Sequence, residues 1–215
     1  RREFIANASA QLRTPLQAAG NAINAAKQAK TSEDYIHSIT IAENQVDRMS
    51  EVVDQMLLLS ELDEVGQGIP DSVELASELL GTGVSCFSNL AKRRNIALEK
   101  RVEPSLKVRC HKGLIEQCLA NLIENAICFS SDGGKVACST WKDGNEIVFS
   151  IADNGTGIAE EKIDQIWDRF YVGDKARSTG SGIGLSIVKH IASVHGGRVC
   201  VSSKVGVGSE FQLRL

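Results

Sequence analysis

Apolar positions recur at helical spacing over the first 65 residues. Ile39, Ala42, Val46, Met49, Val53 and Met56 alternate between spacings of three and four, the heptad seam of a helix packed against other helices. Phe4, Ala8, Leu12, Leu16, Ala19, Ile23 and Ala26 form a similar stripe upstream. Between the two stripes, Lys30-Thr31-Ser32-Glu33 offers a Thr or Ser N-cap with acidic residues in the following turn. The pattern predicts a helical hairpin. Two helices cannot enclose a core alone, so the seams call for a second hairpin, most simply from another copy of the chain in a dimeric four-helix bundle. The alternative is that the stripes pack on the second half of the same chain.

The pattern then changes. Residues 1–65 contain only Gly20, and the other eighteen glycines follow. Val65-Gly66-Gln67-Gly68-Ile69-Pro70 reads as a connector, placing a boundary near 64–72 between a domain at 1–65 and one at 72–215. In the second domain, helical patterns run near 72–93, 111–129 and 184–195. Strand-like runs lie near 95–103, 134–141, 145–152, 197–203 and 209–215. The expected fold is an α+β sandwich, one mixed sheet covered on one face by helices.

Composition adds limits. With 215 residues, 42% of them hydrophobic, the chain can bury a core without staples, which excludes disorder and collagen. A net charge of −3 gives no general reason to expect nucleic acid. No apolar run approaches the roughly 20 residues of a spanning helix, and Arg1-Arg2-Glu3 is no signal peptide, so this piece is expected to be soluble. Cys86, Cys110, Cys118, Cys128, Cys138 and Cys200 contain no CxxC pair, which favours a reduced, cytosolic compartment and thiols serving as core hydrophobes. His37, His111, His190 and His195 form no ligand or triad pattern and read as structural.

Three segments are more particular. In Asn121-Leu122-Ile123-Glu124-Asn125-Ala126, two carboxamides four apart share a helix face and can offer oxygens to a hard cation such as magnesium, or simply be solvated. Asp153-Asn154-Gly155-Thr156-Gly157-Ile158 sets a carboxylate at a strand end before glycines that admit a ligand to the backbone; such a carboxylate accepts from an exocyclic amine, or else merely caps a turn. Thr179-Gly180-Ser181-Gly182-Ile183-Gly184-Leu185-Ser186 is a glycine-rich loop opening a helix, where free N–H groups favour phosphate. It lacks the GK[ST] ending of a P-loop and fails the dinucleotide fingerprint.

In order and spacing the three resemble the ATP-binding domain shared by sensor histidine kinases, Hsp90 chaperones, type II topoisomerases and MutL proteins. Further segments favour the kinases. Trp167-Asp168-Arg169-Phe170-Tyr171, before the loop Asp174-Lys175-Ala176-Arg177-Ser178, is similar to the kinase phenylalanine motif and ATP lid. Gly206-Val207-Gly208-Ser209-Glu210-Phe211 is similar to the closing glycine motif. Phe4-Ile5-Ala6-Asn7-Ala8-Ser9-Ala10-Gln11-Leu12-Arg13-Thr14-Pro15-Leu16 resembles the phosphoacceptor segment.

The resemblance implies a cytoplasmic two-component kinase core using ATP and Mg2+, a homodimer that works on a response regulator, and a larger parent receptor for which a membrane anchor stays open. It gives Asn121 and Asn125 the magnesium–ATP complex, with Asn125 first as direct ligand, and Asp153 the adenine amine. Gly155 and Gly157 would shape the base pocket, Gly180, Gly182 and Gly184 would flex the lid, and Phe170 and Ser209 would join the nucleotide site. Thr14 would orient water for dephosphorylating the regulator, unless its hydroxyl is bonded to its own backbone.

Three positions depart from the family. Ala10 stands where the phosphorylated histidine belongs, and a methyl group has no nucleophilic nitrogen. Gln11 follows where an acidic residue often stands, and an amide is no base near neutral pH. Cys128-Phe129 replaces a common basic residue and tyrosine, which lowers the expected nucleotide affinity. Ala10 is open to two origins, an engineered block or a natural pseudokinase or scaffold that signals by conformation. A water-activating ATPase of the Hsp90 or MutL type is disfavoured, because Asn121 stands where those enzymes place a glutamate and Glu124 points off the ligand face.

Overall fold

A computed structural model describes the backbone of residues 2–64, 72–173 and 181–215, and the side chains of 8–62, 72–173 and 181–215. The chain divides into two compact units, Arg1–Ser60 and Glu61–Leu215.

The first unit is built from α1 (Arg2–Gln28) and α2 (Ser32–Glu64). Thr31 caps α2 as its residue type predicts: the hydroxyl accepts from the Asp34 N–H at 3.1 Å and donates to the Asp34 carboxylate at 2.7 Å. The inward-facing residues are mostly small. Ala19, Ala22 and Ala26 of α1 are buried, as are Ala42, Val52 and Leu59 of α2. Four of the expected seam positions point outward in the single chain: Leu16, Ile23, Val46 and Val53 are all exposed. Pro15 lies inside α1 and removes the N–H that would bond the Gln11 carbonyl one turn back.

The second unit carries a five-stranded mixed sheet in the order β2-β4-β5-β7-β6, formed by β2 (Ala97–Val102), β4 (Lys135–Asp143), β5 (Glu146–Asp153), β6 (Arg198–Lys204) and β7 (Gly208–Arg214). β2 runs parallel to β4, and the other neighbours are antiparallel. Helices α3 (Ala76–Arg93), α4 (Lys112–Phe129) and α5 (Gly184–Val194) cover it. The fully buried Leu79, Leu80, Ile115, Leu119, Ile123, Phe149, Ile151 and Ile187 make the core, each contributing about 1.5–3 kcal/mol of transfer free energy. Gly83 lets α3 and α4 close up, since a Cβ there would stand 2.9 Å from Ile123 Cδ1.

Two expectations are corrected. Residues 72–75 begin no helix: they are β1 (Ser72–Leu75), paired antiparallel with β3 (Lys107–Cys110), a strand that periodicity did not reveal. The backbone bond from Ala76 N–H to Leu106 O at 2.9 Å fixes where β1 turns into α3. The thiols also divide: Cys110, Cys118 and Cys138 are buried, whereas Cys86, Cys128 and Cys200 are exposed and are not core residues. Burial pushes the Cys138 thiol up to about 12 and that of Cys118 strongly up, so both stay neutral. Three of the histidines are held in ordinary contacts, with His195 Nε2 accepting the His111 N–H at 3.1 Å, His111 Nδ1 capping α4 at Leu114 and His190 Nε2 lying 3.0 Å from Leu62 O, while His37 is exposed. The connector at 65–70 and the lid loop at 174–178 lie outside the described residues.

Candidate nucleotide site

Asp153 ends β5, where the strand must stop because Asn154 and Gly155 turn away from the ladder. Its Oδ1 accepts two backbone N–H groups, from Gly155 at 2.8 Å and from Ser209 at 3.3 Å. Its Oδ2 makes no hydrogen bond among the described residues, which leaves one oxygen of a half-buried carboxylate without a donor from them. Burial raises the Asp153 carboxyl above the usual range, and the two N–H bonds only partly offset it.

The turn after Asp153 requires glycine for space. A Cβ on Gly155 would sit 2.3 Å from the Phe129 carbonyl oxygen, and one on Gly157, whose φ is +66°, would sit 2.0 Å from the Lys204 carbonyl oxygen. The backbone of this turn is therefore pressed between the end of α4 and the β6–β7 turn. Gly206 N–H donates to Thr156 O at 2.8 Å and Ser203 Oγ accepts from Ile158 N–H at 2.8 Å, tying the turn to β6 and the β6–β7 turn. Ser209 serves this arrangement through its backbone and through its hydroxyl, which shares a 2.8 Å bond with Ser203. Ser203 and Lys204 have no place in the sequence motifs, and Phe129 entered them only through its side chain, because these residues act here through main-chain contact or a hydroxyl that any loop could carry.

Asn121 and Asn125 lie on α4 one turn apart. Asn121 is buried, and its Nδ2 has no hydrogen-bond partner among the described residues. Asn125 is half-buried, and its side chain also makes no hydrogen bond among the described residues. An unpaired buried amide costs about 1–3 kcal/mol, a penalty that a ligand held at the same spot would relieve. Gly184, the first residue of α5, brings its backbone against Asn121: a Cβ there would stand 3.4 Å from Asn121 Oδ1.

The glycine loop is anchored from the phenylalanine motif. Phe170 adopts a left-handed backbone, φ +68°, and its N–H donates to Gly182 O at 2.8 Å. Gly182, itself at φ +70°, has no room for a Cβ, which would lie 2.7 Å from the Phe170 carbonyl carbon. A non-glycine residue in this region costs of order 1–3 kcal/mol and persists only where the surroundings enforce it. Gly180 lies outside the described residues.

In the first unit, Ala10 and Thr14 are exposed one turn apart on α1, and Gln11 is half-buried. The Thr14 hydroxyl makes no hydrogen bond among the described residues, unlike Thr40 and Thr82, which bond the carbonyls four residues back at 2.9 and 3.1 Å. The backbone-bonded alternative for Thr14 is therefore not what is found.

Both halves match known families. Residues 1–65 match the His Kinase A (phospho-acceptor) domain, and residues 111–215 match the family described as histidine kinase-, DNA gyrase B-, and HSP90-like ATPase. The chain belongs to the sensor histidine kinases. The sensor-like histidine kinase SenX3 of Mycobacterium tuberculosis is 34% identical over 223 residues, a match spanning all of this chain and 53% of that protein. The chain thus spans about half the length of this curated relative. Among solved structures, full-length ShkA in complex with AMPPNP superimposes with a TM-score of 0.73 at 26% identity, covering 99% of this chain and 45% of ShkA. The histidine kinase ThkA in complex with the response regulator TrrA shares the fold, with a TM-score of 0.79 at 22% identity and coverage of 99% and 60%. The kinase fold accounts for the sandwich of α3–α5 on a mixed sheet, and ATP binding is the property that the second match implies.

Proposed function

We propose that this kinase core binds Mg-ATP in the second unit, dimerises through the first, and acts on the receiver domain of a response regulator, with its own phosphorylation blocked at Ala10. The observation that carries the nucleotide reading is a set of polar atoms without hydrogen-bond partners among the described residues: Asn121 Nδ2 and Asp153 Oδ2, with Asn125 one turn along α4 from Asn121. These residues fit the ligand. Carboxamide oxygens suit a hard cation that completes its octahedron with water and phosphate oxygens. Magnesium, when bound, would neutralise charge on the phosphates. Asp153 Oδ2 would accept the adenine amine, Gly155 and Gly157 would let the base approach the backbone, and Gly182 and Gly184 would bring the α5 N-terminus to the phosphates. The structure of a relative that carries a nucleotide analogue, ShkA with AMPPNP, supports this assignment.

Phosphoryl transfer within the kinase needs a nucleophile at position 10, and Ala10 provides none. Removing phosphate from a regulator's aspartyl phosphate needs only a positioned water. The water oxygen bonds to phosphorus as the carboxylate departs, and the exposed, unbonded Thr14 hydroxyl is able to hold that water. The exposed row Leu16, Ile23, Val46 and Val53 supports a homodimer, since two such rows facing each other complete a four-helix bundle. We place this core in the cytoplasm as part of a larger sensor. A second reading, a pseudokinase or scaffold signalling by conformation, is favoured by Ala10 alone.

The test adds labelled ATP to the Ala10→His variant. Acid-labile label on the protein is the expected result. Its absence, with ATP still bound, would mean that more than one residue has been lost and would favour the pseudokinase. Thr14→Ala should abolish phosphate loss from a phosphorylated regulator while leaving the restored kinase working; equal rates with and without Thr14 would remove it from the reaction.

A further inference from the structure

The C-terminus of α4 is held from outside by a residue that none of the kinase motifs includes. The last four carbonyls of a helix have no partner within it, and here each finds one elsewhere. Ala126 O accepts from Ser130, through N–H at 3.1 Å and the hydroxyl at 2.7 Å. Ile127 O and Cys128 O accept from Arg94 Nη1 at 2.6 and 3.1 Å. Phe129 O accepts from the Thr156 N–H at 3.3 Å. Arg94 continues past the helix: Nη2 reaches Ser130 O at 2.8 Å, and Nε and Nη2 share Asp132 Oδ1 at 3.1 and 3.0 Å.

The last turn of α4 contains no basic residue of its own, so the cation that favours a helix C-terminus is supplied by Arg94, which caps the end of α3. The same turn has two faces with different duties. One receives the guanidinium. The other presents the Phe129 carbonyl to Thr156 and leaves no room for a side chain on Gly155. Asn125 sits just before this turn, and Asp153 is tied to Gly155 by the 2.8 Å bond. A planar guanidinium bonding several carbonyls at fixed angles sets the pose of the turn, which a single ammonium does less well.

From this chain of contacts we infer that Arg94 is a positioning residue for the nucleotide site: by fixing the final turn of α4 it fixes both Asn125 and the Asp153–Thr156 turn. The inference rests on the ATP-binding reading above. Arg94 itself touches no ligand and acts through α4.

Calorimetry with a non-hydrolysable ATP analogue and Mg2+ compares the unmodified chain with Arg94→Gln, Arg94→Lys and a control, Ile115→Val, which loosens the buried start of the same helix. Arg94→Gln should weaken binding about tenfold or more, the scale on which outer-shell supports act, with Arg94→Lys in between. Ile115→Val should stay within about twofold of the unmodified chain although it too lowers the unfolding midpoint. Binding by Arg94→Gln within about twofold of the unmodified chain, or an equal loss in Ile115→Val, would overturn the inference. Amide exchange in the ligand-free protein gives a second readout that needs no nucleotide. The N–H groups of Gly155 and Thr156 should exchange faster in the Arg94 variants than in Ile115→Val, and equal rates would overturn the positioning role. An unmodified chain that binds no analogue would refute the ATP reading instead, with the hold of Arg94 on the turn still decided by exchange.

Discussion

Asp153→Asn separates what the carboxylate does for the fold from what it does for the ligand. Oδ1 holds the N–H groups of Gly155 and Ser209, and an amide oxygen can hold them equally. Oδ2 is the oxygen left for a donor, and in the variant it becomes an NH2 group that faces an amine donor to donor. The fold should lose nothing and gain a little, because burial already disfavours the charge that the substitution removes. Binding loses a hydrogen bond to a charged acceptor, about 1.5–3 kcal/mol, which is roughly a 10- to 150-fold rise in Kd. The pH dependence follows the same logic. With its pKa raised in the fold, Asp153 is protonated more readily there than in the unfolded chain, so its contribution to stability is present at low pH and is lost as pH rises through the raised value. Ligand binding needs the ionised form, so affinity should fall as pH drops through that raised value, above the ordinary 3.8, and Asp153→Asn should lack this acid limb. Calorimetry across pH and thermal unfolding of both proteins provide the readouts. Equal affinity in the two proteins, or a loss of stability that matches the loss of affinity, would refute the division of labour between the two oxygens.

Replacing Asn121 by Leu removes a buried amide with no partner, so the ligand-free protein should gain about 1 kcal/mol while Mg-ATP binding disappears; an unchanged or lower Tm would count against the strain assigned to Asn121. Gly157→Ala should destabilise by about 3 kcal/mol or more in urea unfolding, because its Cβ meets the Lys204 carbonyl oxygen at 2.0 Å, whereas Gly144→Ala, at φ +61° but in open space, should cost only about 1–2 kcal/mol. The paired substitution Val46→Glu and Val53→Glu should give a folded monomer by light scattering, since these side chains are 50% and 41% exposed in the single chain; an unmodified chain that is already monomeric at micromolar concentration would end the four-helix proposal.

The residues that sequence reading identified are those whose chemistry is carried by side chains at fixed spacing. Asn121 and Asn125 a turn apart on α4, Asp153 at the end of β5 and the glycines after it announce themselves in the sequence. Contacts made by the main chain leave no such mark. Phe129 and Lys204 define the space around Gly155 and Gly157 through carbonyl oxygens, which every residue possesses. β1 and β3 span only four residues each, too short for alternation to outweigh the helical stripe that begins at Ala76. In the hairpin, periodicity found the helices but merged two rows: alanines turned inward within the chain and larger residues such as Leu16 and Val46 turned outward. The heptad count treats both rows alike, because spacing reports the face of a helix and not what covers it.

The place of β7 in the sheet bears on biosynthesis. This strand, Gly208–Arg214, lies between β5 and β6, and it follows β5 by more than fifty residues. A nascent chain that has reached only Lys204 therefore has two strands with unsatisfied inner edges, a gap between them, and the Phe211 and Leu213 positions of the core unfilled. It also lacks the Ser209 N–H that Asp153 accepts. The helical hairpin is made first and closes through local contacts, whereas the second unit stays incomplete until β7 has emerged from the ribosome. Truncated translation products that stop before Gly208 would carry the helical hairpin without a working nucleotide pocket, and quality-control proteases would meet them with open strand edges.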